Sequence, residues 1–212
     1  MVLLVAPNRT ALPAVTVPSR HRTLILRSRG SALESRIQAA LGGGEVDLVI
    51  SLGFAAAADR RLSPGDLLLA TRVYGGSNVY LDMPPLQAPG AVRGSLSTLV
   101  ESPDPGRVLL RPRRRLPPVY AYDDHGFWLA RGAQAAHVPC LMLRSILLEA
   151  STRADTQDPL LGDLLTGSVG RLLLRQPQRW REIRDLLRHV DRCRAQLASA
   201  LAVLMVLHGS SQ

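Results

Sequence analysis

Two long apolar runs limit the folds open to this chain. Val46–Leu52 and Cys140–Leu148 are mostly hydrophobic, and both are shorter than an ordinary buried helix. Apolar runs of seven to nine residues, flanked by turn residues, are typical of strands buried on both faces. Such strands build mainly parallel sheets that helices cover, so the sequence predicts an α/β protein.

The stretch before Val46 predicts the helix that joins two strands. Thr23–Arg27 is apolar enough for a strand, and hydrophobic residues then recur at helical spacing from Ser31 to Leu41. Ser31 and Glu34 occupy the positions of a capping box, and three glycines at 42–44 end the helix. This order predicts a strand–helix–strand unit.

The rest of the chain predicts a sheet with connecting loops and a helical C-terminal part. Val2–Ala6 predicts a first strand. Residues 75–106 predict loops of the kind that form a lid over a site. The other predicted elements are a short helix near Ser95–Glu101, strands at Val108–Leu110 and Val119–Ala121, a helix at His125–Ala136, and a long helix from Pro177 to about Leu207. We expect one domain over residues 1–212, with a basic helical extension at about 158–207.

The long C-terminal helix has an apolar stripe on an arginine-rich background. The residues that share this face are Trp180, Ile183, Leu187, Val190, Leu197 and Leu201. Two interpretations are open: the stripe packs on the protein's own domain, or it lies on a membrane surface. Packing on the domain is the more common use of such a stripe.

The net charge of +9 results from 26 basic residues, all of them arginine, and 17 acidic residues. A strongly basic chain can bind nucleic acid, but these arginines are spread along the sequence without interleaved aromatic residues. The exception is the Arg111–Arg115 cluster, which is typical of a solvated loop. No cysteine spacing indicates a metal site, and no apolar run is long enough to span a membrane. We expect a cytoplasmic protein that binds no nucleic acid, and the basic helix suggests a location at the inner membrane face.

Small residues follow the first long apolar run. Gly53 and Ala55–Ala58 come after Val46–Leu52, and a Pro64–Asp66 turn leads into a second apolar strand at Leu67–Val73. Small residues at the end of a strand let a ligand approach the backbone. We expect a loop here with a pocket formed by Gly53, Phe54, Ala55 and Ala56, in which Phe54 either stacks on a base or blocks the site.

A second segment, from Asp123 to Leu148, has the order of residues and elements of a known motif. Asp123–Gly126 is followed by a helix, Val138-Pro139, a strand, and Arg144–Leu148. With the small-residue stretch, this resembles the nucleoside phosphorylase and nucleosidase superfamily, whose late segment runs D-M-E-S, a helix, V-P, a strand and R-x-I-S-D. The resemblance covers most of the chain, and the spacing of this segment matches without gaps.

The resemblance implies a three-layer α/β/α sandwich around a mixed, mainly parallel sheet. It also implies a purine nucleoside as ligand, a homo-oligomer, no metal or redox cofactor, and phosphate as cosubstrate if the reaction is phosphorolysis. The tail Gly170–Gln178, with the basic helix after it, is similar to the hopanoid-associated phosphorylases. In that group the implied substrate is an adenosyl-hopanoid, from which adenine is released during hopanoid lipid synthesis.

The positions that carry the family's chemistry hold other residues here. Cleavage of the bond to a purine needs a proton at the base, a hold on the sugar hydroxyls and an activated water or a phosphate. Leu148 stands where the family has its acid, and His125 where it has the glutamate that binds ribose. Pro7–Leu12, which matches the region of the water-activating glutamate, contains no carboxylate, and Thr10 is its nearest match.

Neighbouring residues can take over these roles. Glu149 follows the missing acid and faces the pocket only if the strand has a bulge. Asp123 or Asp124 can support His125 on the ribose side, although Asp123 also suits the start of a helix. Arg144 lies in a buried strand, so we expect a carboxylate or a ligand beside it, and we include it among the substrate-binding candidates.

Two further alternatives follow from the same residues. Arg29, Gly30 and Ser31 match the region where phosphorylases bind phosphate, since a helix N-terminus favours anions, although an ordinary helix start has the same pattern. The loss of the usual acid and base also fits a catalytically degenerate relative. Such a protein would bind a nucleoside, a lipid or a protein partner without turnover.

Overall fold

A computed structural model describes residues 1–7, 11–12, 21–26, 30–75, 79–85, 87–88, 90–98, 119–149 and 180–209. Its strands are β1 (Val2–Ala6), β2 (Arg22–Ile25), β3 (Leu48–Ala57), β4 (Leu67–Gly75), β5 (Tyr80–Asp82), β6 (Ala91–Thr98), β7 (Ala121–Asp123) and β8 (Cys140–Leu148). Its helices are α1 (Gly30–Leu41), α2 (Gly126–Ala135) and α3 (Trp180–Gly209).

All eight strands form one sheet of mixed direction. The parallel pairs are β1–β2, β1–β3, β3–β8, β4–β6 and β6–β7, and the antiparallel pairs are β3–β7, β4–β5 and β4–β8. Five of the strands form a closed ring in the order β3, β7, β6, β4 and β8. The ring closes because β8 pairs with both β4 and β3. The sheet is therefore mainly parallel, as predicted, with a closed part and a β1–β2 extension.

Both faces of the central strands are buried, which explains their continuous apolar sequence. Along β8, Met142 and Ile146 pack in a core with α1 and α2, while Leu141 and Leu143 pack in a second core with α3. We call these the α1/α2 side and the α3 side of the sheet. β3 alternates in the same way, so helices cover the sheet on both sides and the expected α/β/α layering is present.

The expected small-residue loop is wrong, because strand β3 continues through it. β3 extends to Ala57 and pairs with β8 over most of its length and with β7 near its end. Strands on both sides supply hydrogen bonds to this backbone. Gly53 and Ala55 are consequently buried residues of a central strand.

Helices α1 and α2 pack against each other through a glycine. A Cβ built on Gly132 of α2 would lie 2.9 Å from the carbonyl oxygen of Glu34 in α1. The Glu34 side chain pairs with Arg131 at 3.1 Å. Since α1 begins at Gly30, Ser31 lies in its first turn, and the predicted capping box is replaced by this contact between helices.

The region between β4 and β7 differs from the prediction. Residues Ser95–Thr98, expected to begin a short helix, belong to strand β6, which pairs with β4 and β7. Pairing on both sides therefore overrides the local helical pattern. The predicted strand at Val108–Leu110, the Arg111–Arg115 cluster and the tail Gly170–Gln178 lie outside the described residues.

Helix α3 is held by its apolar stripe on the sheet. Val190, Cys193, Leu197 and Leu201 are buried in the core on the α3 side, and the Cys193 thiol donates to the carbonyl oxygen of Ile146 at 3.0 Å. For the stripe from Leu187 to Leu201, packing on the domain is therefore confirmed. Among the described helices, none combines the length and hydropathy that a membrane span requires.

Candidate functional site

The candidate site lies on the α1/α2 side of the sheet, where β6, β7 and β8 meet the beginning of α2. Thr98 ends β6, Asp123 ends β7, and Arg144 lies in β8 beside Gly53 of β3. Thr98 and Asp123 stand opposite each other in the parallel β6–β7 pair. The strand register thus brings these side chains together from three separate parts of the sequence.

A buried ion pair forms the centre of this site. Arg144 Nε donates to Asp123 Oδ2 at 2.8 Å, and the two side chains are 3% and 2% exposed. A buried guanidinium needs a carboxylate partner, because desolvation of an unpaired charge is costly. The expectation that a carboxylate or a ligand lies beside Arg144 is therefore confirmed, and the partner is Asp123.

The remaining hydrogen bonds of Arg144 go to protein oxygens. Its Nη1 donates to the carbonyl oxygen of Ser51 and to Ser51 Oγ, both at 3.0 Å, and to the carbonyl oxygen of Leu143 at 3.1 Å. A Cβ on Gly53 would lie 3.4 Å from Arg144 Cδ and Nε. Gly53 therefore leaves space for the arginine side chain to lie across β3.

Asp123 connects this ion pair to the start of α2. Its Oδ1 accepts from Thr98 Oγ1 at 2.7 Å and from the Gly126 amide at 3.1 Å. Thr98 Oγ1 in turn accepts from the Phe127 amide at 2.7 Å. Since amides at a helix start lack partners within the helix, Asp123 and Thr98 satisfy two of them. Both carboxylate oxygens of Asp123 are thus engaged within the protein.

His125 occupies the N-cap position of α2 and is 9% exposed. Its Nδ1 contacts Oδ1 of Asp124, whose side chain is 34% exposed. This contact fixes the ring orientation and leaves Nε2 as the nitrogen for any ligand. The structure therefore brings His125, Asp124 and Asp123 together at one helix start.

Strand β8 contains a bulge at its carboxyl end. Ala55 pairs with Ile146 but Ala56 pairs with Leu148, so Leu147 is an extra residue in the ladder. Leu147 and Leu148 both pack on the α3 side, whereas a regular strand would put them on opposite faces. Glu149 follows Leu148 directly after the end of β8 and is exposed.

The other predicted site residues lie in two different places. Phe54 is 8% exposed and packs in the core on the α3 side, away from Arg144, while Ala56 is half-buried near the end of β3. Gly30 and Ser31 form the start of α1, which follows β2. Arg29 lies outside the described residues.

Sequence reasoning missed Thr98 and Ser51. The sequence pattern predicts a short helix around Thr98, and Ser51 is one residue of a predicted apolar strand. A polar residue within a buried strand is a usable signal, because its hydroxyl needs a partner. Across the described ranges, no cluster of three or more His, Cys, Asp or Glu residues could hold a metal ion.

Solved nucleosidase structures share this fold. An MTAN from Chlamydia trachomatis superposes with a TM-score of 0.58 and 16% identity, covering 97% of both chains. The same protein bound to adenine gives 0.57 and 16%, covering 96% of both. The 5′-methylthioadenosine/S-adenosylhomocysteine nucleosidase from S. pneumoniae, solved with a transition-state inhibitor, gives 0.54 and 17%, covering 81% of this chain and 96% of that one.

No protein-family model and no curated protein matches this sequence. The similarity to the solved nucleosidases extends over most of the chain, and at these identities it establishes the fold. It agrees with the mixed, mainly parallel sheet expected from the resemblance to the nucleoside phosphorylase and nucleosidase superfamily.

Proposed function

We propose that this protein cleaves the N-glycosidic bond of a purine nucleoside and releases the base. The observation that carries the proposal is the β8 bulge between Ile146 and Leu148. The bulge turns Leu148 to the α3 side, so continued alternation would direct the next residue, Glu149, to the side of Arg144. This supports a role for Glu149 as the substitute acid, since Leu148 cannot donate a proton. The nucleosidase-like fold is consistent with this chemistry but does not by itself assign it.

In the proposed reaction, Glu149 protonates or hydrogen-bonds the departing purine. His125, oriented by Asp124, binds a sugar hydroxyl through Nε2 as the sugar becomes oxocarbenium-like. The backbone of Ala55 and Ala56 lies under the base, because the Arg144 side chain already covers β3 at Gly53. Arg144 and Asp123 act as positioning residues, because the hydrogen bonds between them and their neighbours set the beginning of α2.

For the substrate we propose a 5′-substituted adenosine, with an adenosyl-hopanoid as the first candidate. The support is the sequence similarity of Gly170–Gln178 to the hopanoid-associated phosphorylases. If phosphate attacks in place of water, the start of α1 with Gly30 and Ser31 is the proposed anion site, together with Arg29. The homo-oligomer implied by the family resemblance remains a prediction.

Chromatographic measurement of free adenine tests this function. A panel of 5′-substituted adenosines that includes adenosylhopane is incubated with the protein, with and without phosphate. We expect adenine release, and we expect Glu149→Gln to reduce it by about 10²- to 10⁴-fold, the usual contribution of a general acid. Glu45→Gln is the matched control, because Glu45 is an exposed carboxylate between α1 and β3. Equal rates in the two variants would overturn the role of Glu149.

A second candidate function is nucleoside binding without turnover. Leu148 at the acid position and the complete engagement of Asp123 by its neighbours favour this alternative. Isothermal titration with a non-hydrolysable adenosine analogue distinguishes the two. Binding without adenine release from the corresponding nucleoside supports the non-catalytic protein, whereas release from any member of the panel excludes it.

A further inference from the structure

The outward face of α3 carries a stripe of arginines. Arg181, Arg184, Arg188 and Arg192 recur every three or four residues, which aligns them on one side of a helix, and all four are exposed. The opposite side holds the apolar stripe that packs on the sheet. Arg181, Arg184 and Arg188 therefore lie on the side of α3 away from the sheet, while the Arg192 side chain, at the edge of this face, runs beside Gly65 of the β3–β4 turn.

This stripe keeps a surplus of positive charge. Asp185 lies 3.2 Å from Arg188 and 3.9 Å from Arg184, and Asp191 is also exposed. Two aspartates thus stand against four arginines among the described exposed residues of the N-terminal half of α3. Pairs between exposed charges are weak, so the guanidinium groups remain available to a more highly charged partner.

The same outward face becomes apolar toward the end of α3. Val203 and Val206 are 38% and 66% exposed, and they lie about three and four turns beyond Arg192 in line with the arginines. They are two of the few large hydrophobic side chains that the described surface exposes. One helix face therefore combines cationic groups with exposed apolar side chains.

We propose that this face, which we call the outer α3 face, docks on a membrane surface containing anionic phospholipid. Arginines bind the phosphate headgroups, and the two valines reach the boundary between headgroups and acyl chains. Nucleic acid fits less well, because the described residues of the face include no aromatic side chain for base stacking, and phosphate binding gives the valines no role. The surface differs from the apolar stripe considered in the sequence, which the domain itself buries.

Vesicle flotation at low and high salt tests the proposal with the full chain. The probes are vesicles of phosphatidylcholine alone and of phosphatidylcholine mixed with phosphatidylglycerol. We expect flotation only with the anionic vesicles, and a fall in binding at high salt. The triple variant Arg181→Gln, Arg184→Gln, Arg188→Gln should bind roughly a hundredfold more weakly, since each basic residue near the surface contributes about fivefold.

The matched control removes the same charge elsewhere. Arg36, Arg60 and Arg93 are exposed in α1, in the β3–β4 turn and in β6, and their replacement by Gln should leave most of the binding intact. An equal loss in both triple variants would show a response to net charge alone and overturn the proposal. Circular dichroism establishes that each variant is folded.

Two further results bear on the choice of partner. Val203→Ser with Val206→Ser keeps every charge, and we expect it to weaken vesicle binding most at high salt, where the apolar contribution remains. Binding of duplex DNA or RNA through the same arginines, with no flotation on anionic vesicles, would overturn the lipid assignment. Adenine release by the folded protein is a separate measurement, so this proposal and the proposed function can fail independently.

Discussion

Arg144 in β8 reaches across β3 to bind Asp123 in β7, with 2.8 Å between Nε and Oδ2. The two strands are not neighbours, since β3 pairs with each of them on opposite sides. The side chain can cross because Gly53 has no Cβ at the point of passage. One ion pair therefore connects three strands and, through Asp123, the beginning of α2.

Replacement of Arg144 should be among the most damaging single changes in the core. In Arg144→Met, the carboxylate of Asp123 is left buried without its cation, which costs about 3 to 5 kcal/mol in comparable cases. We expect the free energy of unfolding, measured by urea denaturation, to fall by that amount. Asp123→Asn should be similarly harmful.

The double variant Asp123→Asn with Arg144→Met tests whether the loss of stability comes from an unpaired buried charge or from the altered side-chain shape. With both charges gone, no unpaired ion remains, so the double variant should be more stable than the sum of the two single effects predicts. Arg61→Met is the control at an exposed pair with Asp59, and its stability should stay close to that of the unmodified protein. Additive effects in the core pair would contradict the argument.

Parts of this site could be predicted, because few arrangements stabilise a charged side chain in a buried strand. The apolar run around Arg144 predicts a central strand, and a guanidinium in such a strand requires a partner. β8 begins and ends where its sequence pattern predicts. The start of α2 after the two aspartates was also predictable, since acidic residues favour helix N-termini.

The rest depends on contacts between distant segments, which local sequence does not determine. Gly53 and the alanines after it suit a loop, but hydrogen bonds from β7 and β8 hold them in a strand. Thr98 belongs to a segment with a helical pattern, and pairing of β6 on both sides overrides that preference. The β8 bulge depends on the fit between β3 and β8, so it becomes visible only in the structure.

Contact between α1 and α2 should depend on the absence of a side chain at Gly132. A Cβ there would lie 2.9 Å from the Glu34 carbonyl oxygen and 3.0 Å from Ile37 Cβ, so the two helices would have to separate. We expect Gly132→Ala to lower the unfolding free energy by roughly 1–3 kcal/mol in thermal or urea denaturation. Gly43→Ala is the control, because nothing lies within 4 Å of a Cβ at that position. A similar loss in both variants would point to backbone effects and not to helix packing.

Placing at Leu148 the acid of the superfamily motif that the sequence resembles should not create activity. Leu148 packs against the core on the α3 side, because the bulge turns it away from Arg144. Leu148→Asp therefore puts a carboxylate against apolar residues, and we expect a loss of about 1–3 kcal/mol in unfolding free energy without a rise in adenine release. Leu148→Met should retain both stability and activity. A clear increase in adenine release by Leu148→Asp would show that this position faces the substrate and that Glu149 does not take its place.

Both cysteines should be unreactive in the folded protein and should make its stability depend on pH. Burial raises the pKa of the Cys140 thiol to about 12, against a usual value of 9, and burial also raises the pKa of Cys193. The folded state therefore keeps protons that the unfolded state loses above pH 9, so the unfolding free energy should fall between pH 9 and about 12. Cys140→Ala should reduce this slope in urea denaturation series, because it removes one of the two buried thiols whose pKa is raised. Ellman's reagent at pH 8 should label neither thiol until denaturant is added, and rapid labelling of the native protein would contradict the burial of Cys140 on the α1/α2 side of the sheet and of Cys193 between α3 and the sheet.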